Sequence, residues 1–107
     1  MNAGWYGVDL DGCLAYDDGW KGVEHIGEPV PLMLQRVKEW VADGITVKIF
    51  TARACSGEYE INLIQDWCEK HGLPRLEVTN VKDYAMARLY DDRCVQVIEN
   101  TGILVKR

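Results

Sequence analysis

The chain has 107 residues, 48% hydrophobic and 27% charged, with a net charge of −5. That is material for one domain over residues 1–107, with a small core; a second folding unit and a disordered chain are both excluded. The acidic balance argues against general charge attraction to nucleic acid, and no apolar run approaches the roughly 18 residues of a membrane span.

Trp5-Tyr6-Gly7-Val8 is short, apolar and followed by acids and Gly12, which predicts a buried strand. Residues 13–29, with glycines, a proline and several charges, predict an excursion such as a small hairpin. Pro31 opens a helix at the position where a missing N–H costs least. Met33, Leu34, Val37, Trp40 and Val41 recur at helical spacing, and Gly44 supplies the left-handed stop. Ile45, Val47 and Ile49 alternate with Thr46 and Lys48, so 45–50 is a strand. A second helix is expected over about 57–71. Ser56 is its cap, Glu58 and Glu60 suit its positive start, and Gly72 and Pro74 end it. Leu76-Glu77-Val78 predicts a short strand, and Asp83 the cap of a short helix over 84–88. Leu89-Tyr90, 94–98 and 103–105 are further strand candidates. Strands alternating with helices imply an open, mostly parallel α/β sheet with right-handed crossovers, whose ligands sit at the carboxyl ends of the strands.

Four clusters follow predicted strands. Asp9-Leu10-Asp11-Gly12 puts two carboxylates on one side of an extended chain, where mutual repulsion makes one of them hold a proton more readily. Such a pair suits a nucleophile beside a general acid, and equally a turn of common turn residues. Thr51-Ala52-Arg53 offers a hydroxyl and backbone N–H groups to a phosphate, or a cap to the next helix. Lys82 is a mobile cation for phosphate or an ordinary surface lysine. Asp91-Asp92 can hold a hard divalent cation or form an acidic turn. Taken together, the acids outnumber Lys82 so heavily that the pocket repels any phosphate unless a divalent ion is bound, which points to Mg2+.

The set resembles the haloacid dehalogenase superfamily on its phosphatase side, in a small form without a cap domain. Val8-Asp9-Leu10-Asp11-Gly12, Ile49-Phe50-Thr51-Ala52-Arg53, Lys82 and Leu89-Tyr90-Asp91-Asp92-Arg93 carry the likeness, over most of residues 5–93. The resemblance implies a Rossmann-like three-layer sandwich with a mostly parallel central sheet and a short flap hairpin after the first strand. It also implies a Mg2+-dependent phosphomonoester hydrolase. Asp9 would attack phosphorus to give an aspartyl-phosphate, and Asp11 would protonate the leaving oxygen and then activate water. Thr51, Ala52, Arg53 and Lys82 would bind the substrate. Mg2+ would sit between Asp9, the backbone carbonyl of Asp11, and the pair Asp91 and Asp92. An acid two residues after the nucleophile disfavours a carbon–halogen substrate.

Cys13 departs from the family pattern and is expected to be a small packing residue, since a thiolate beside two acids is disfavoured. Tyr16, Trp20, Lys21, His25, Arg53 and Arg93 are best placed to touch a substrate; Arg53 would either clamp a second anionic group or pair with a helix carboxylate. The expected partner is a phosphorylated small molecule or polymer end, nucleic acid entering only as substrate, with no membrane. Another subunit, in a homo-oligomer, could close the open site. The start Met1-Asn2-Ala3-Gly4-Trp5 lacks an export signal, so a cytoplasmic location is expected, with Cys13, Cys55, Cys68 and Cys94 reduced. His25 and His71 are not spaced to share zinc with them. Two other readings stay open. One is a phosphate-binding or regulatory protein on the same scaffold with little turnover. The other is a receiver-like phospho-acceptor, which would need its accepting Asp after the third strand.

Overall fold

Alternating strand and helix segments place each connection between parallel strands over the sheet. In the computed structural model, which describes residues 4–105, these segments are β1 (Trp5–Val8), α1 (Pro31–Ala42), β2 (Thr46–Phe50), a 3-10 helix (Ala52–Ser56), α2 (Glu58–Lys70), β3 (Glu77–Thr79) and β4 (Met86–Tyr90). The strands form one all-parallel sheet in the order β3-β2-β1-β4. This is the Rossmann-like α/β class expected from the strand and helix alternation.

The register decides what each face carries. Val8 pairs with Ile49, and Ile49 with Val78, so these side chains share one face. Met33 and Val37 of α1 join them, as do Ile64, Trp67 and Cys68 of α2, in one buried cluster. Each large side chain so buried contributes about 1.5–3 kcal/mol relative to exposure. Trp40 extends the cluster toward β4, its ring 4.6 Å from that of Tyr90 and 5.2 Å from that of Tyr6. The other face is covered by its own side chains around Trp5, which is buried. The Lys48 ammonium lies 4.5 Å from the Trp5 ring centroid, and the indole N–H donates to Asp83 Oδ1 at 2.9 Å. Gly7 is needed beneath that indole, because a Cβ there would meet it at 3.0 Å.

Pro31 does begin α1, and Gly44 follows its end with φ +82°. Ser56 does not cap α2: it closes the 3-10 helix, and Gly57, at φ +97°, occupies the cap without a side-chain bond. Glu60, in the first turn of α2, is buried with its Oε2 unpartnered.

Two expectations fail near the C-terminus. Residues 84–88 are not a helix: Asp83 caps a turn through Ala85 N–H at 2.9 Å, and the chain then enters β4. Parallel pairing with β1 overrides the local helical preference of Met86-Ala87-Arg88. Segments 94–98 and 103–105 do not become strands. A single antiparallel bridge joins Val97 to Leu104 across a turn with Asn100 at φ +61°. The flap after β1 is paired only at its base, where Ala15 bridges Pro29 and Tyr16 N–H donates to the Glu28 carbonyl at 2.9 Å. Its inner end is held by the Trp67 indole, which donates to the Gly27 carbonyl at 3.0 Å. Among the described residues, no helix is long and apolar enough to cross a membrane.

Candidate functional site

All four strands point their carboxyl ends to the same side, and the loops leaving β1, β2 and β4 meet there. The loop after β1 is fixed from beneath. Asp9 N–H continues the ladder to the Tyr90 carbonyl at 2.9 Å, and Ala15 N–H returns to the Leu10 carbonyl at 2.9 Å. Leu10 and Leu14 are fully buried. The hydrophobic residues therefore anchor the loop in the core, while Asp9 and Asp11 line a cavity of about 440 Å³ above the sheet. Thr51, Ala52, Arg53 and Asp91 line the same cavity.

Carboxylate oxygens of Asp9, Asp91 and Asp92 all lie within 4.8 Å of one another. Burial pushes the Asp9 carboxyl up to about 8, helped by a hydrogen bond with Asp92 and by the charges of Asp91, Asp92 and, last, Asp11. The expected repulsion is present, but it comes mainly from Asp91 and Asp92, just past β4, rather than from Asp11. Asp91 Oδ1 accepts from Arg93 N–H at 2.8 Å, which sets its carboxylate at the end of β4. Gly12, at φ +90°, passes so close that a Cβ would lie 2.7 Å from Asp92 Oδ2. Oxygen donors in a cluster short of positive charge suit a hard divalent cation. Asp9, Asp91 and Asp92 fit such an ion by the chemistry of their donors, and the bare Gly12 leaves room for the Asp92 carboxylate to stay among them.

Asp11 behaves differently. Arg53 Nε and Nη2 donate to its two oxygens at 2.8 and 2.9 Å. The same guanidinium also donates to the His25 carbonyl at 3.0 Å and the Val23 carbonyl at 3.4 Å. Arg53 thus pairs with an acid of the first loop rather than with a helix acid. It ties the first acidic loop to the flap, and the Trp20 ring lies 5.3 Å from its guanidinium.

Thr51 is buried at the end of β2, and its Oγ1 accepts from Arg53 N–H at 3.2 Å. The hydroxyl proton remains available to a ligand oxygen, so Thr51 both caps the 3-10 helix and faces the cavity. Its own backbone N–H is used in a bond to the Thr79 carbonyl at 3.0 Å. Cys13 donates weakly to the Tyr90 carbonyl at 3.6 Å; burial and the neighbouring acids raise its thiol to about 11, as befits a packing residue.

Lys82 is not brought to this group. It is exposed in the loop after β3 and does not line the cavity; Asn80, one residue past β3, does. Asp17 also lines it from the flap. The sequence reading missed both. The rule that strand ends carry ligands could have found Asn80, but Asp17 depends on the fold of the flap.

Comparison with protein-family models finds no match, and neither does comparison with curated proteins. Among solved structures, the fold is similar to that of a conserved protein coded by a locus of Bacteroides thetaiotaomicron. The TM-score is 0.67, over 87% of this chain and 78% of that one, at 19% sequence identity. That likeness bears on the fold alone.

Proposed function

We propose that the chain is a Mg2+-dependent phosphomonoester hydrolase of the haloacid dehalogenase type. One observation supports this above the others: acids from loops some eighty residues apart, Asp9 and Asp91-Asp92, meet within 4.8 Å, with Asp9 and Asp91 on the cavity wall. The buried hydroxyl of Thr51 lines the same cavity. Held by Asp9, Asp91 and Asp92, a Mg2+ ion would supply the positive charge that lets a phosphate approach this acidic floor. Asp9 attacks phosphorus to give an acyl phosphate, and the Thr51 hydroxyl donates to a phosphoryl oxygen. Asp11 delivers a proton to the leaving oxygen, then withdraws one from the water that releases phosphate. The fork of Arg53 fixes the plane of the Asp11 carboxylate, and turnover requires one of those two bonds to yield to the leaving oxygen.

A second reading, phosphate binding with little turnover, is favoured by that same fork and by Lys82 lying outside the cavity wall. The receiver-like alternative has less support: Asn80 follows β3, and the next acid, Asp83, is bonded to Trp5. A hydrolysis screen in Mg2+ against p-nitrophenyl phosphate, sugar phosphates, nucleotides and 3′- or 5′-phosphorylated oligonucleotides decides between them. Release of phosphate that stops in chelator supports the hydrolase. Retention of Mg2+ without hydrolysis of any substrate supports the binding protein, and a long-lived phosphoenzyme supports the receiver.

A further inference from the structure

Beneath the flap lies a second cavity of about 320 Å³, which shares Asp11, Asp17 and Arg53 with the acidic one. Asp11, the residue that would protonate the leaving oxygen, lines both. Resting on the hydrolase reading above, we infer that this flap cavity receives an uncharged, hydroxyl-bearing ring as leaving group and rejects a leaving group that carries a second phosphate.

Three carboxylates, of Asp11, Asp17 and Asp18, face this space. The basic side chains of the flap cavity and of the flap itself are already engaged. Arg53 makes four hydrogen bonds, two to Asp11 and two to flap carbonyls, out of five N–H groups in all. Lys21 Nζ and His25 Nε2 both bond to Asp18, each at 3.1 Å. A second phosphate entering here would face carboxylates with no uncommitted cation among the described lining residues, a like-charge encounter that costs affinity. The space offers something else: Trp20 and Tyr16 are 68% and 54% exposed and present flat apolar faces, and Asp17 brings carboxylate oxygens that accept from hydroxyls. Flat faces with a few convergent acceptors are what an uncharged ring with hydroxyls can use. The volume suits one small ring system and not a polymer.

Two matched pairs test this: glucose 6-phosphate against glucose 1,6-bisphosphate, and adenosine 5′-monophosphate against adenosine 3′,5′-bisphosphate. In Mg2+, kcat/KM should favour the single phosphate by about tenfold, the size of one like-charge encounter at intermediate dielectric. The pair with the higher kcat/KM identifies the ring as sugar or nucleoside. Asp17→Asn keeps the acceptor for the Gly19 N–H but removes the charge, and should shrink the ratio roughly two- to fivefold. Titration calorimetry of the Mg2+-loaded Asp9→Asn variant should give Kd values in the same order. Equal or better use of the bisphosphates, or their tighter binding in calorimetry, would overturn the inference while leaving the hydrolase reading intact. Inertness toward every ester, p-nitrophenyl phosphate included, would instead sink the hydrolase reading, and the calorimetric order would still decide the selectivity.

Discussion

Asp9 and Asp11 stand two residues apart in one loop, yet their electrical surroundings are opposite. Asp9 is half-buried among carboxylates from β4, and its carboxyl is held up at about 8. Asp11 is gripped by the guanidinium of Arg53 through both oxygens. A motif of two like residues therefore contains two different devices, one lacking a cation and one already supplied with it. The neighbour that arrives from elsewhere in the chain, β4 for Asp9 and the 3-10 helix for Asp11, makes the difference.

Asp9→Asn should break the comparison most. Turnover in Mg2+ should fall by more than about 1,000-fold, as for loss of a nucleophile; activity near that of wild type would remove Asp9 from that role. In chelator the same variant should be the more stable one at alkaline pH. The folded wild type keeps a proton up to about 8, against an ordinary 3.8, so its stability declines as pH rises between those values. Thermal melts across that range should show the decline in wild type and its absence in Asp9→Asn.

Arg53→Ala tests the other half. Loss of the fork and of two flap anchors should cost about 2 kcal/mol in urea unfolding and lower kcat by releasing Asp11. Arg53→Lys should recover only part of this, since an ammonium cannot bind both oxygens in parallel. An unchanged kcat in both variants would detach Arg53 from Asp11 in function.

Gly12→Ala should cost about 1–3 kcal/mol for its left-handed backbone, and its Cβ, 2.7 Å from Asp92 Oδ2, should displace that carboxylate. The Mg2+ concentration for half-maximal activity, or calorimetric metal binding, should rise.

Asp83 supplies a contrast of sign and the smallest effect. The Trp5 indole and then the Ala85 N–H lower its carboxyl below the usual range. Its stabilisation is therefore complete above the ordinary aspartate range and fades as pH falls through the lowered value. Asp83→Ala should show a flatter acid limb in melts while leaving the decline due to Asp9, between 3.8 and about 8, untouched. A variant that flattens that decline instead would contradict both assignments.

Much of this could be read in the chain. Pro31 and Gly44 bracket α1, and the alternation from Ile45 to Phe50 marks β2 to within a residue, because each signal is local in origin. The gathering of Asp9, Asp91 and Asp92 was also foreseeable, since parallel strands send their ends to one side. The errors fall where distant contacts outweigh local preference. Residues 86–88, expected in a helix, joined Leu89 and Tyr90 in a strand by pairing with β1. Lys82 is exposed and does not line the cavity, a place that Asn80 takes instead. Segments 94–98 and 103–105 have strand-like composition, but they join each other through one bridge only.

The sequence by itself determined the α/β class, the first helix and the identity of the acids that share the sheet's carboxyl end. These follow from hydrophobic periodicity, from Pro31 and Gly44, and from residues placed directly after strands. Only the tertiary structure decided that Arg53 belongs to Asp11, that the flap is fastened to both, and that Asp9 answers to burial and to the acids just past β4. Those pairings are set by packing between segments far apart in the chain, and charge acts through distance in space, which local sequence does not encode.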